Sequence, residues 1–164
     1  MRVTFRAKLL MLILASPFVL AACSSKAEPA IENPSTCPVT KPQWALHPED
    51  AAISGTPAHG YYFINEAGTI WASAWWSADA ASQPISREGI KMGWFRPAGA
   101  SLEITGERID GPAPALDAHV PCCYPTRFQA TGLTFPEEGC WRISATAGGE
   151  NLEFVVQIVF EEGK

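Results

Sequence analysis

The sequence predicts an all-β fold, an antiparallel β-sandwich of about seven short strands. Three observations predict it. No segment sustains a 3.6-residue apolar period, whereas period-2 alternation recurs along the chain. Thirteen Gly and 14 Pro argue against long helices. Gly, Pro or Asn fall between the alternating runs, where a two-sheet fold needs its turns; a small barrel is the alternative closure. Six Trp, eight Phe and three Tyr supply the core.

The first segment is not part of that fold. Met1–Lys8 carries Arg2, Arg6 and Lys8 and no acid, and Leu9–Leu20 is almost wholly apolar. A basic stretch followed by a short apolar run reads as an export signal over residues 1–22. A permanent bilayer span needs about 20 apolar residues, and this run is shorter. It ends Leu20-Ala21-Ala22-Cys23, which resembles the lipobox of bacterial lipoproteins. The resemblance implies that Cys23 is diacylated on its thiol and becomes the new N-terminus; the other reading is an ordinary secretory signal with a chance Cys. Residues 23–36 are the lipidated Cys and a polar, Pro-bearing tether. By the sorting rule of double-membrane bacteria, Ser24 rather than Asp after the anchor favours an outer membrane, where one exists. The expected location is thus the cell membrane or outer membrane, on the extracytoplasmic side.

Residues 37–164 remain for one domain. Strands are expected near 60–65 and 69–76. Ile90, Met92 and Trp94 alternate with Lys91 and Gly93, and Leu102 and Ile104 with Glu103 and Thr105. Another strand is expected near 128–135. Trp141, Ile143 and Ala145 share a face opposite Arg142 and Ser144. Leu152, Phe154, Val156, Ile158 and Phe160 share the last and clearest face. Gly148-Gly149 between these two runs can supply the positive φ of a tight hairpin.

The stretch Phe135-Pro-Glu-Glu-Gly139-Cys140-Trp141 resembles the lead-in to the penultimate strand of immunoglobulin-like domains, where an acid, a Gly and an aromatic occupy alternate positions. The resemblance implies an immunoglobulin-like sandwich in which Trp141 stands for the corner tyrosine. Its indole N–H then needs a buried acceptor.

Three further stretches, Cys37-Pro-Val-Thr40, Leu102–Leu116 and Thr131-Gly-Leu133 through Phe135–Trp141, resemble a family of small exported bacterial proteins, often lipoproteins, of uncharacterised function. The likeness covers about residues 37–160 and is most specific from Gly132 to Phe154. It implies architecture and no chemistry. This chain departs from the pattern at Gly93–Pro97, where the family often has a Trp-rich segment. It departs again at Pro121-Cys122-Cys123-Tyr124-Pro125, where the family often has a Gly-bearing loop.

With Cys23 as anchor, Cys37, Cys122, Cys123 and Cys140 remain, and four cysteines allow three pairings. Export to an oxidising compartment favours pairing. The family resemblance covers Cys37 and Cys140, which implies Cys37–Cys140 as the economical bridge and leaves Cys122 and Cys123 as a neighbour pair or free thiols. Adjacent residues of a regular strand face opposite ways and cannot bridge, but Pro121 and Pro125 favour a turn here. Reduced, the two thiolates could hold Cu(I) or Zn(II) with His119 as a third ligand. The bland reading is a structural loop, and no CxxC or HxxxH spacing supports a metal.

Trp71, Trp75 and Trp94 are candidates for an aromatic platform that takes sugars or lipids. Trp71 and Trp75 share strand parity and Trp76 does not, so at least one face of that run belongs to the core. His47 and His59 sit in Pro- or Gly-flanked loops, and Glu137-Glu138 and Glu161-Glu162 read as solvated charges.

Three of the 12 basic residues lie in the signal, so residues 23–164 carry nine basic against 17 acidic side chains, a net charge of −8. That balance excludes a basic nucleic-acid platform. No Gly-x-Ser-x-Gly elbow, phosphate loop or Ser/His/Asp order occurs. The sequence therefore points to a lipid-anchored envelope module that binds a ligand or an envelope protein, without catalysis or cofactor. The alternative is a metal- or redox-responsive lipoprotein using Cys122 and Cys123.

Overall fold

The alternating runs fold as two stacked β-sheets. In the computed structural model the described residues are 36–48, 59–74, 82–122 and 124–162. In chain order the strands are β1 (Gln43–Leu46), β2 (His59–Ile64), β3 (Trp71–Ser73), β4 (Ser82–Ile85), β5 (Ile90–Phe95), β6 (Leu102–Arg108), β7 (Asp117–His119), β8 (Phe128–Thr134), β9 (Gly139–Ala147) and β10 (Glu150–Phe160). One sheet has the order β1-β2-β3-β5-β8-β7 and the other β4-β10-β9-β6. The signal, Cys23 and the tether up to residue 35 lie outside the described residues, as do Trp75, Trp76 and Cys123.

Parity decides the core. On β10 Leu152, Phe154, Val156, Ile158 and Phe160 are buried, and on β9 Trp141, Ile143, Ala145 and Ala147 are. The two strands pair antiparallel from Glu150↔Ala147 to Ile158↔Gly139. Gly148 (φ 61°) and Gly149 (φ 85°) close that hairpin with two consecutive left-handed residues, which a tight turn of this hand requires. From the facing sheet, Ile90, Met92 and Trp94 of β5 turn inward. The sheets meet where the Phe63 ring stacks on Phe154 at 4.1 Å, with Trp94 at 6.2 Å from the same ring.

Two features differ from the sequence expectation. Ten strands occur among the described residues rather than seven, because β1, β4 and β7 are three or four residues long and too short to show a period. The pairing is antiparallel everywhere except between β4 and β10, which run parallel from Ser82↔Gln157 to Ile85↔Phe160. β4 is an edge strand, the position where a strand tolerates a residue such as Pro84 that has no N–H.

The N-terminal strap and β4 divide one edge of β10 between them. Upstream of β4, the Thr40 N–H donates to the Val155 carbonyl (2.9 Å), and the Val155 N–H donates to Thr40 Oγ1 (2.9 Å). A disulfide then joins Cys37 to Cys140 with Cα atoms 5.5 Å apart. Cys140 alternates with Trp141 and so faces away from the core, yet it is buried, because the bridged strap covers it.

The lead-in to β9 is closed by the Trp141 indole, which finds an acceptor there. Trp141 is fully buried, and its Nε1–H donates to the Glu137 carbonyl at 3.1 Å. Arg108 braces the same lead-in through Asp110 (2.6 Å) and Glu137 (2.8 Å). Gly139 sits there at φ 137°, a backbone conformation that L side chains rarely adopt, with Arg108 and Asp110 packed against it. Burial pushes the Asp110 carboxyl up, but the Arg108 hydrogen bond and charge and a backbone hydrogen bond at Cys140 outweigh it and hold it below the ordinary value.

Candidate functional site

The aromatic candidates separate onto different surfaces. Trp94 is 0 % exposed, with its Nε1–H donating to Thr131 Oγ1 at 2.9 Å. It belongs to the core and cannot line a recognition surface, which corrects its place in the aromatic platform. Trp71 pairs with Phe95 across β3 and β5 and lies on the outer face of its sheet, half-buried, with Nε1–H donating to the Gly68 carbonyl (2.9 Å). Tyr62 meets the Trp71 ring at 5.5 Å and the Phe95 ring at 5.8 Å, and Phe128 continues the row at 5.6 Å from Phe95. Phe95 is itself buried, with the His47 ring stacked 5.8 Å away, so this row is largely a second small core. Trp75 lies outside the described residues.

The open aromatic surface lies on a strand that sequence periodicity missed. Trp44 on β1 is 61 % exposed and Leu46 is 39 % exposed. Trp44 stacks on the exposed His59 ring at 5.8 Å and leans on Tyr61 at 4.5 Å. β1 is the edge of the six-stranded sheet, and Trp44 pairs with Tyr61 in register. Together these side chains make a ledge of stacked rings open to solvent. Four residues, Gln43-Trp-Ala-Leu46, carry too little alternation for the ledge to be read beforehand.

The second candidate is a loop pocket. Arg96 follows β5 directly and is 1 % exposed. Its guanidinium donates to four neutral oxygens: Nε to Gln129 Oε1 (2.7 Å), Nη1 to the Pro97 and Thr126 carbonyls (3.0 and 3.4 Å), and Nη2 to the Tyr124 carbonyl (2.9 Å). Gln129, also buried, donates through Nε2 to the Pro121 carbonyl (2.8 Å). Arg96 and Gln129 thus hold the loop between β7 and β8 by its carbonyls, which is the service a Pro-rich loop needs because Pro cannot donate. Burial lowers the Arg96 pKa, but arginine keeps its charge in proteins. Between this loop and the β5–β6 crossover lies a cavity of about 240 Å³, lined among others by Arg96, Ser101, Val120, Cys122 and Gln129. An Arg before Pro97 gives no hint in sequence that its charge will be buried.

The thiol candidates are placed as follows. Cys37 and Cys140 are bridged to each other. Cys122 is exposed and is also disulfide-bonded, so it offers no thiolate to a metal in this state. His119 is exposed at the end of β7. Among the described residues no group of three His, Cys, Asp or Glu side chains is arranged to hold a metal ion. Oxidation takes the Cys122 thiol, so in this state it is not available as a ligand beside His119, and Cys123 lies outside the described residues. Of the acidic pairs, Glu137 serves Arg108 and Glu138 accepts the Phe160 N–H at 2.7 Å, so both are structural.

No protein-family model matches the chain, and no curated protein does. Among solved structures, the chain is similar to a candidate lipoprotein from Bacillus anthracis, at 15% identity and a TM-score of 0.42, over 71% of this chain and 87% of that one.

Proposed function

We propose that this chain is a lipid-anchored, extracytoplasmic binding module of the bacterial envelope, and that the Trp44 ledge is its recognition surface. The observation that carries the binding role is the ledge itself. A Trp 61 % exposed on an edge strand, already stacked on His59 and Tyr61, keeps a large apolar ring in water at a free-energy cost that a partner would remove. The anchor rests on the Leu20–Cys23 motif, and export on the oxidised cysteines, since disulfides persist in oxidising compartments. A ring-bearing ledge suits the faces of an envelope glycan or the apolar patch of an envelope protein better than it suits catalysis. One acyl chain holds a protein to a membrane only marginally, so two or more are expected on Cys23.

Two measurements test this reading. Radiolabelled palmitate should enter the wild-type chain expressed in a lipoprotein-processing host and not Cys23→Ala. The wild-type chain should bind isolated envelopes saturably, and Trp44→Ala should weaken that binding at least about tenfold with the fold intact. Unlabelled protein in the first experiment sinks the anchor; equal binding by Trp44→Ala in the second sinks the ledge.

A further inference from the structure

We infer that the cavity beside Arg96 is a binding site for a small organic carboxylate, separate from the Trp44 ledge. The first reason is charge. Arg108 and Arg142 each face a carboxylate, at 2.6 and 2.8 Å, whereas Arg96 is buried against neutral oxygens alone among the described residues. Carbonyl dipoles reduce the cost of burying a cation, but only an anion cancels the charge. The second reason is donor arithmetic. A guanidinium has five N–H groups and Arg96 uses four; an amide has two, and Gln129 uses one. Among the described residues, one N–H on each of these two buried side chains is left over, and both side chains line the same cavity.

The third reason is the company these donors keep. Leu102, Val120 and the Pro121 ring share the lining, with Ser101 exposed at the mouth. Two planar donors beside an apolar wall match a carboxylate with a short hydrocarbon part. A tetrahedral dianion would bring more charge and more lone pairs than two N–H groups satisfy. At about 240 Å³ the space admits a molecule of a few carbons and not a polymer.

The test uses the full chain in a neutral detergent, with butyrate as probe, butyramide as its uncharged counterpart, and inorganic phosphate as the competing anion. Titration calorimetry gives affinities, and the Arg96 Nε–H resonance reports where the probe sits. Butyrate should bind saturably, at least about tenfold tighter than butyramide, and shift that resonance. Because Arg96 holds the loop, its removal could unfold the region; Ser101→Trp instead blocks the mouth from an exposed position. It should weaken butyrate at least about tenfold with the melting temperature unchanged. The inference is overturned by any of four results: no saturable butyrate binding, equal binding of butyramide, binding of phosphate in preference to butyrate, or full affinity in Ser101→Trp.

Discussion

Removing the Cys37–Cys140 bridge, as the Cys37→Ala/Cys140→Ala pair, should cost far more than any single contact of the strap. The bridge closes a loop with a sequence separation of 103 residues. In the chain-entropy account, a cross-link over that length lowers the free energy of the folded state relative to the unfolded by about 4.7 kcal/mol. The folded strap loses little by the change, since Thr40 still exchanges two hydrogen bonds with Val155, together worth about 1–3 kcal/mol. For a domain of this size the loss should lower the melting temperature by about 15–20 °C. The assay is urea unfolding of the wild type and the double variant under oxidising conditions, which leave the Cys122 disulfide intact. The denaturant slope should rise as well, because an unfolded chain without the cross-link exposes more surface. A loss below about 1.5 kcal/mol with an unchanged slope would refute the reasoning. It would mean that the unfolded chain is already held compact by something other than the bridge.

Three further outcomes follow from the same geometry. Thr131→Val leaves the Trp94 indole N–H buried without an acceptor and should cost about 1–3 kcal/mol in denaturant unfolding, while Thr131→Ser, which keeps the oxygen, should cost less. Trp141→Phe removes the donor to the Glu137 carbonyl and part of a buried ring, and should destabilise by about 1–3 kcal/mol; a neutral result would deny the corner its role. The Asp110 carboxyl is held below its ordinary value of 3.8, so it contributes stability that is present above that pH and lost as the pH falls through the lower folded value. Asp110→Asn should therefore flatten the acid limb of the stability curve below about pH 4 and leave the neutral-pH slope unchanged.

Trp94 and Trp44 show where reading the sequence stops. Trp94 shares an alternating run with Ile90 and Met92, and that parity already pointed inward; its use as a platform residue failed because the second sheet lies over that face. Trp44 sits in a run too short to display a period, and its exposure follows from β1 being the sixth strand of one sheet set against only four in the other. The parallel β4 was equally illegible. Its partner is chosen by a crossover from a distant part of the chain, and Pro84 argues against a strand on local grounds.

The sequence by itself determined the all-β class, the inward faces of β5, β6, β9 and β10, and the Gly148-Gly149 hairpin. Each of these is written in residues that are neighbours along the chain: side-chain parity repeats every two residues, and a left-handed turn needs its glycines in place. The likeness of Phe135–Trp141 to an immunoglobulin-like corner also carried a demand for an indole acceptor, and the Glu137 carbonyl meets it four residues away. What only the tertiary structure decided is which polar groups end up without water. Arg96 is an ordinary basic residue until β8 and the chain at Tyr124 and Thr126 close around it and replace solvent with carbonyls from residues 28 and 30 positions distant. Burial and the choice of hydrogen-bond partner are set by which strands stack, and stacking is a property of the whole chain.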